Sequence, residues 1–260
     1  MKDDPMGNGQ LKAGYNVQAG TENQFIVDTT VHQRPGDTAC AIPHCEHAKE
    51  RIGRLPANFV ADAGYGSEEN YAYLEREGVD AYVKHSEFFR ECRNKKWRED
   101  EMRVANWGYD KASDEYTCPE GRALAFVGEL SRVSDLGHES TVRIYECEDC
   151  SGCTRRAKCS KSADPDQPRQ IQVNPTLNAF RSRASEMLHN ETGSALRKRR
   201  SVDVETVFGD IKRNLGFTRF TLRGLEKVTL EWRLVATGHN IRKLFLAESR
   251  KRKAEAGAAV

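Results

Sequence analysis

Three groups of residues in this 260-residue chain have types and spacings that can do chemistry. The first is Asp62, in the stretch VADAGYGSEENY at positions 60–71. It ends an apolar run and is followed by two turn-forming glycines, so it either terminates a strand or is half of a metal site with distant partners. The second is Glu205, in SVDVETVFGDIKRNLGF. There Val204, Val207, Phe208, Ile211 and Leu215 recur at helical spacing and define a core-facing stripe, which turns Glu205 away from its centre. Lys212, seven residues on, falls almost above Glu205, with Gly209 between them, so a phosphate backbone can approach that edge. An ordinary amphipathic helix with a solvated Glu and Lys gives the same pattern. The third group is Cys147, Cys150, Cys153 and Cys159, in ECEDCSGCTRRAKC. Four thiolates so spaced can surround a structural zinc. An iron–sulfur cluster is the rival, weakened by the longer final spacing and the lack of a following proline; unliganded thiols are the third possibility. Cys118, in YTCPEG, can replace one of the four.

These groups need elements to hold them. Alternation around a turn-like TENQ predicts a hairpin, residues 14–19 with 24–32. Asp37 can cap a helix running to about Arg51, with Ile42, Cys45, Ala48 and Ile52 on one face and Cys40 and Cys45 in the core. NFVAD reads as a short buried strand, Ser67 to Glu77 as a helix closed by Gly78, and VDAYVKH as another strand. Together they predict a mixed α/β sheet, with Asp62 at the C-terminal end of a central strand, where such sheets place their ligands. From Phe88 to Pro175 the chain turns polar and loses helical period. The expected organisation is therefore a core beginning in residues 1–87, an insertion at 88–175 bearing the cysteines, a helical return at 176–247 and a disordered basic tail at 248–260. His32 and His239 read as hydrogen-bonded structural groups. Tyr65 and Tyr71 flank the Asp62 loop, where they can stack on bases or pack.

The composition is 38% apolar and 31% charged. No stretch is apolar enough to span a membrane, and the N-terminus lacks the apolar core of a secretory signal, so a cytoplasmic, nucleoid-associated protein is expected. Eight cysteines in that compartment are not expected to form disulfides. The net charge of +2 hides an asymmetry: Arg181 to Lys253 carries 18 Lys and Arg against 8 Asp and Glu. Arg197 to Arg200, Lys212, Arg213, Arg219 and Arg223 crowd around Glu205, and this basic third is a candidate polyanion-binding region. Arg199, Arg200, Lys212, Arg213, Arg219 and Arg223 are the candidate DNA contacts.

ADAGYGSEENYAYLEREGVDAYVKH and VETVFGDIKRNLGFTRFTLRGLEKVTLEWRLVATGHNIRKL strongly resemble the second and third acidic blocks of bacterial insertion-sequence transposases of the DDE type. QLKAGYNVQAGTENQFIVDTTVHQRPGDT resembles the strands that precede the second acid. The resemblance implies a ribonuclease-H-like fold, interrupted here by the cysteine-containing insertion. It also implies three carboxylates holding two divalent metals, magnesium or manganese, for phosphodiester cleavage and strand transfer at the terminal inverted repeats of a mobile element. By that resemblance Asp62 is the second acid, Glu205 the third and Lys212 a DNA contact. Lys198 and Ser201 stand where some relatives have Tyr and Arg, so that signature is incomplete. The family's first acid lies on a strand upstream of the hairpin. MKDDPMGNGQLKA has no apolar run, Asp3 and Asp4 lie in polar surroundings, and Asp28 is on the wrong strand by family order. The expectation is a chain lacking its N-terminal region and first strand, with an exposed sheet edge, inactive alone and homo-oligomeric when complete. The alternatives are a non-catalytic DNA-binding remnant that interferes with full-length transposase, and a zinc-bearing protein that binds RNA or protein.

Overall fold

In a computed structural model, which describes residues 2–3, 9, 11–12, 14–162, 164 and 167–258, the alternating N-terminal segment forms a hairpin. A short pair, β1 (Lys2–Asp3) and β2 (Leu11–Lys12), precedes it, and Asp4 lies outside the described residues. β3 (Asn16–Glu22) and β4 (Phe25–His32) then pair antiparallel, from Asn16 opposite His32 to Glu22 opposite Phe25. Asn23 and Gln24 close the hairpin with φ of 52° and 66°, the left-handed pair that matches strand twist. α1 (Ala41–Ile52) ends on Gly53, whose positive φ lets its N–H reach the Lys49 carbonyl. β5 (Asn58–Ala61), α2 (Glu68–Arg76) and β6 (Asp80–Val83) make a βαβ unit with β5 and β6 parallel. The α/β class is as expected. The sheet anticipated as one is two: among the described residues no strand joins β3 to β5, so each pair keeps a free edge.

Residues 67–69 and 85–185 form a unit of their own. Its chain runs through α3 (Phe88–Arg93), α4 (Lys95–Arg98), β7 (Gly108–Asp110), β8 (Glu115–Thr117), β9 (Ala123–Val133), β10 (Glu139–Cys147), α5 (Arg156–Cys159) and β11 (Gln170–Val173) into α6 (Pro175–His189). The five strands form one antiparallel meander, ordered β11-β10-β9-β8-β7. Trp107, Leu124, Tyr145, Cys147, Ile171 and Val173 fill its core.

The other unit is completed by α7 (Glu191–Arg200), a π turn at Ser201–Glu205, α8 (Thr206–Gly209), a second π turn at Asp210–Asn214, and α9 (Leu225–Ala258). Val207 and Ile211 bury against Ile26, Val31, Val228, Trp232 and Ala236, and Phe208 stacks on Trp232 at 6.1 Å. The predicted stripe stops there. Leu215 is exposed, because the second π turn winds more than 3.6 residues per turn and carries position 215 off the core side. The tail expected to be disordered from 248 continues α9 to Ala258, as strong helix formers such as Ala, Glu, Lys and Arg favour. α9 is pinned to the hairpin by polar groups. The Asn240 amide accepts from the Ile26 N–H at 2.9 Å and donates to its carbonyl at 2.8 Å, and His239 bridges Asp210 and the Gln24 carbonyl. His239 is thus the structural group expected. Burial opposes the charge on Asp210, but hydrogen bonds from Asn214, Arg242 and His239 outweigh it and hold the carboxyl at about 2.

α1 places His44 over the hairpin, its Nδ1 2.9 Å from Thr30 Oγ1 and 3.7 Å from Asp28 Oδ2. Burial pulls the imidazole down to about 4 against the attraction of Asp28. A base whose folded value is depressed is neutral in the native state and takes up its proton on unfolding. Its stabilisation is therefore complete above about pH 6.5 and is lost as pH falls towards 4. Denaturant melts should show on the order of 2 kcal/mol lost between pH 6.5 and 4.5, with a flatter profile in His44→Gln; identical slopes in the two proteins would assign the effect elsewhere.

Candidate active site

β5 delivers Asp62 in extended conformation, φ −85° and ψ −175°, to the wall of a cavity of about 860 Å³. Its Oδ1 accepts from the Gly64 N–H at 3.0 Å and so caps a short turn; its Oδ2 accepts from Arg200 Nη2 at 3.2 Å. The other guanidinium nitrogen, Arg200 Nη1, lies 3.6 Å from Glu205 Oε1. One cation thus joins the two acids that are 143 residues apart in sequence. Residues five apart do not share a face in an α-helix, whereas a π turn bonds i to i+5 and stacks them. The turn at Ser201–Glu205 brings Arg200 and Glu205 together in that way.

A third carboxylate stands beside Asp62. Asp37 was expected to cap α1; its side chain makes no cap bond and instead accepts from Asn16 Nδ2 at 2.7 Å and Gln18 Nε2 at 3.3 Å. The Tyr65 hydroxyl donates to the Gln18 side-chain oxygen. Burial, with the charges of Asp37 and Asp62, raises the Tyr65 phenol far above its ordinary value. A methyl group on Gly64 would lie 3.2 Å from Asp62 Oδ1 and 3.3 Å from Asp37 Oδ2, so both acids crowd the same bare backbone. The sequence held no signal for Asp37: its partner Gln18 takes a polar place in the alternation of β3 and is nevertheless buried. Lys84, after β6, was also missed: burial and then Arg200 lower its pKa, while Asp62 and Glu205 pull the other way.

Lys212, Arg213 and Gly209 line the same cavity as Glu205. Arg199 does not; it turns to Asp203 at 3.0 Å and Asn23 at 2.7 Å. Arg219 and Arg223 are exposed on the segment before α9. Tyr71 is buried, its hydroxyl donating to the Val83 carbonyl at 3.0 Å, so it packs and is closed to base stacking. In the other unit, Cys118, Cys150 and Cys159 pack with buried Cys147. Burial and a hydrogen bond with Cys150 push the Cys147 thiol up to about 11, and the Arg169 N–H donates to Cys150 Sγ at 3.3 Å. Cys153 is half-buried nearby and its charge acts on Cys159. Among the described residues, no three His, Cys, Asp or Glu side chains are arranged to hold a metal ion. No described helix is long and apolar enough to cross a membrane.

Residues 117–245 match the family model of the transposase DDE domain. Over those residues, just under half of its length, the chain carries a DDE-type transposase domain. The matched stretch includes the cysteine cluster, Glu205 and Lys212 and begins downstream of Asp62. Searches among curated proteins and solved structures gave no match.

The Asp62 and Glu205 side chains are 48% and 67% exposed, against 15% for Arg200, so water screens both ion pairs. Arg200→Ala should therefore lower unfolding free energy by no more than about 1 kcal/mol in denaturant melts. A loss several times larger would mean that Arg200 holds the fold and not merely the site.

Proposed function

We propose that this cavity serves metal-dependent cleavage and strand transfer at the terminal inverted repeats of a bacterial mobile element, in a ribonuclease-H-like core that residues 88–175 interrupt. The observation that carries the reading is the convergence of Asp62 and Glu205 on one guanidinium, beside Lys212 and Arg213. The order hairpin, helix, β5, α2, β6, then an acid-bearing helix supports it. Hard carboxylate oxygens suit magnesium or manganese, and the Arg200 guanidinium stands in for the positive charge such ions would bring. Asp62 and Glu205 would hold them, and the ions would supply activation of the attacking oxygen and stabilisation of the leaving one. Lys212 and Arg213 hold the phosphate backbone at the cavity mouth. Arg199, Arg200, Arg219 and Arg223 add to the basic surface that draws DNA in, and binding weakens steeply with salt as counterions are released.

Asp62 and Glu205 are two of the family's three acids; Asp37 shares their cavity but is held by Asn16 and Gln18, so the chain alone does not cleave. When complete it acts as a homo-oligomer at the nucleoid; the alternative reading is a non-catalytic remnant that binds element ends and interferes with full-length transposase. The test is nicking of a terminal-repeat duplex in magnesium or manganese, by the chain alone and with an upstream first-acid region added. Cleavage should appear only in the second case and vanish in Asp62→Ala and Glu205→Ala. Cleavage by the chain alone would overturn the inactivity, and its loss in Asp37→Ala would name Asp37 as the third acid.

The cysteines serve a structural zinc, held by Cys147, Cys150, Cys153 and Cys159 with Cys118 as the replacement donor. The gathering of Cys118, Cys147, Cys150 and Cys159 on one apolar cluster, with a backbone N–H aimed at a sulfur, supports it. Elemental analysis of protein purified without chelator should give about one zinc per chain, reduced in Cys150→Ser; iron with visible absorption would select the cluster instead.

A further inference from the structure

α9 carries two apolar stripes, and the fold uses one. Val228, Trp232 and Ala236 are buried against the hairpin with Val207 and Ile211, and His239 continues that side. On the side of the helix away from them, Leu230, Leu234, Ile241, Leu244 and Phe245 are all more than half exposed. Leu230, Leu234, Ile241 and Leu244 recur at steps of four, seven and three, with exposed Thr237 in the interval, which is the seam spacing of paired helices. Five side chains this open leave on the order of 500 Å² of apolar surface per copy, and two such patches together reach the roughly 1,000 Å² of a specific interface.

Gly238 stands in the middle of the stripe, beside Leu234 and Ile241 on the helix surface. A glycine inside a helix costs about 1 kcal/mol against alanine. Among the described residues nothing requires it: Gly238 is exposed, and a methyl group there would meet no packed neighbour within 4 Å. A bare backbone at that point suits a second helix that crosses closely from outside.

Charge selects which helix. The stripe is closed by Lys227, seven residues before Leu234, and by Glu248, seven after Ile241, and both are exposed. Glu248 has only a water-screened contact with Arg252 of its own helix, at 3.8 Å, to give up. In a parallel pair of α9 helices each of the two would face its own like charge. In an antiparallel pair centred between Thr237 and Gly238, Leu230 meets Phe245, Leu234 meets Ile241 and Lys227 meets Glu248, every contact being made twice. That arrangement also sets the helix dipoles head to tail and takes the basic residues Arg250 to Arg252 away from their copies.

We propose that the outer stripe of α9 is the surface through which two copies of this chain pair, antiparallel about a twofold axis at Gly238, with Lys227 and Glu248 fixing the orientation. The proposal rests on the reading above only in giving its homo-oligomer a surface, and needs neither DNA nor a metal.

Sedimentation equilibrium of the full chain without DNA or divalent ions should show monomers and dimers in exchange, with circular dichroism confirming that each variant stays helical. Leu234→Gln combined with Ile241→Gln should raise the dimer dissociation constant about a hundredfold. Lys227→Glu and Glu248→Lys should each raise it about tenfold, and the two together should restore it, because the facing charges are again opposite. Gly238→Ala should stabilise the dilute monomer yet weaken the dimer. A chain that stays monomeric at every concentration, or a dimer indifferent to the two Gln substitutions, would overturn the proposal. Failure of the double charge exchange to restore pairing would overturn the antiparallel register, and a tighter dimer in Gly238→Ala would overturn the crossing there. Dimers that form only when a terminal-repeat duplex is added would give the contact to DNA and overturn it too. Since nicking is not measured, failure here and failure of the cleavage reading are told apart.

Discussion

Two like charges brought to one cavity repel, and the site depends on the guanidinium between them. Arg200 touches Asp62 and approaches Glu205, and it is the least exposed of the three. Its position depends in turn on packing: Val207 and Ile211 drive the helix against Ile26, Val31 and Trp232, and the π turn before them swings Glu205 onto the face of Arg200. Because both carboxylates remain open to water, the contact is weak and screened. A buried triad of the same groups would be a fixed structural element and closed to incoming ligands.

Much of this was legible in local pattern. The alternation around TENQ gave the hairpin, Gly78 stands at positive φ past its helix, and Cys40, Cys45 and His239 are the buried groups their apolar neighbours imply. The i, i+7 relation of Glu205 and Lys212, with Gly209 between, survives as a shared cavity wall. What was not legible is whatever depends on winding or distance. Nothing in SVDVE announces a π turn, so Leu215 was placed inside and the Arg200–Glu205 contact went unseen. Asp37 read as a helix cap because its true partners, Asn16 and Gln18, lie about twenty residues back on a strand. Arg199 and Arg200 are adjacent in sequence, yet one turns to Asp203 and Asn23 and the other to the acids. Run-of-charge reasoning cannot separate them.

The cysteine unit shows a similar limit. Spacing singled out four thiols, while the fold packs Cys118, on the loop after β8, with Cys147, Cys150 and Cys159. A loop 29 residues upstream of the cluster joins it because β8, β9 and β10 are successive neighbours in one meander. Topology, and not spacing, decides which sulfurs meet.

The side-chain amide of Asn240 imitates a passing strand at Ile26, donating and accepting where β4 would otherwise offer bonds to a stranger. A hairpin stoppered on one flank has a single valence. Copies that met through that flank alone would close as a twofold pair and stop, since further growth through the hairpin needs a second open flank on it. One carboxamide thus sets an upper limit on how far such association can propagate.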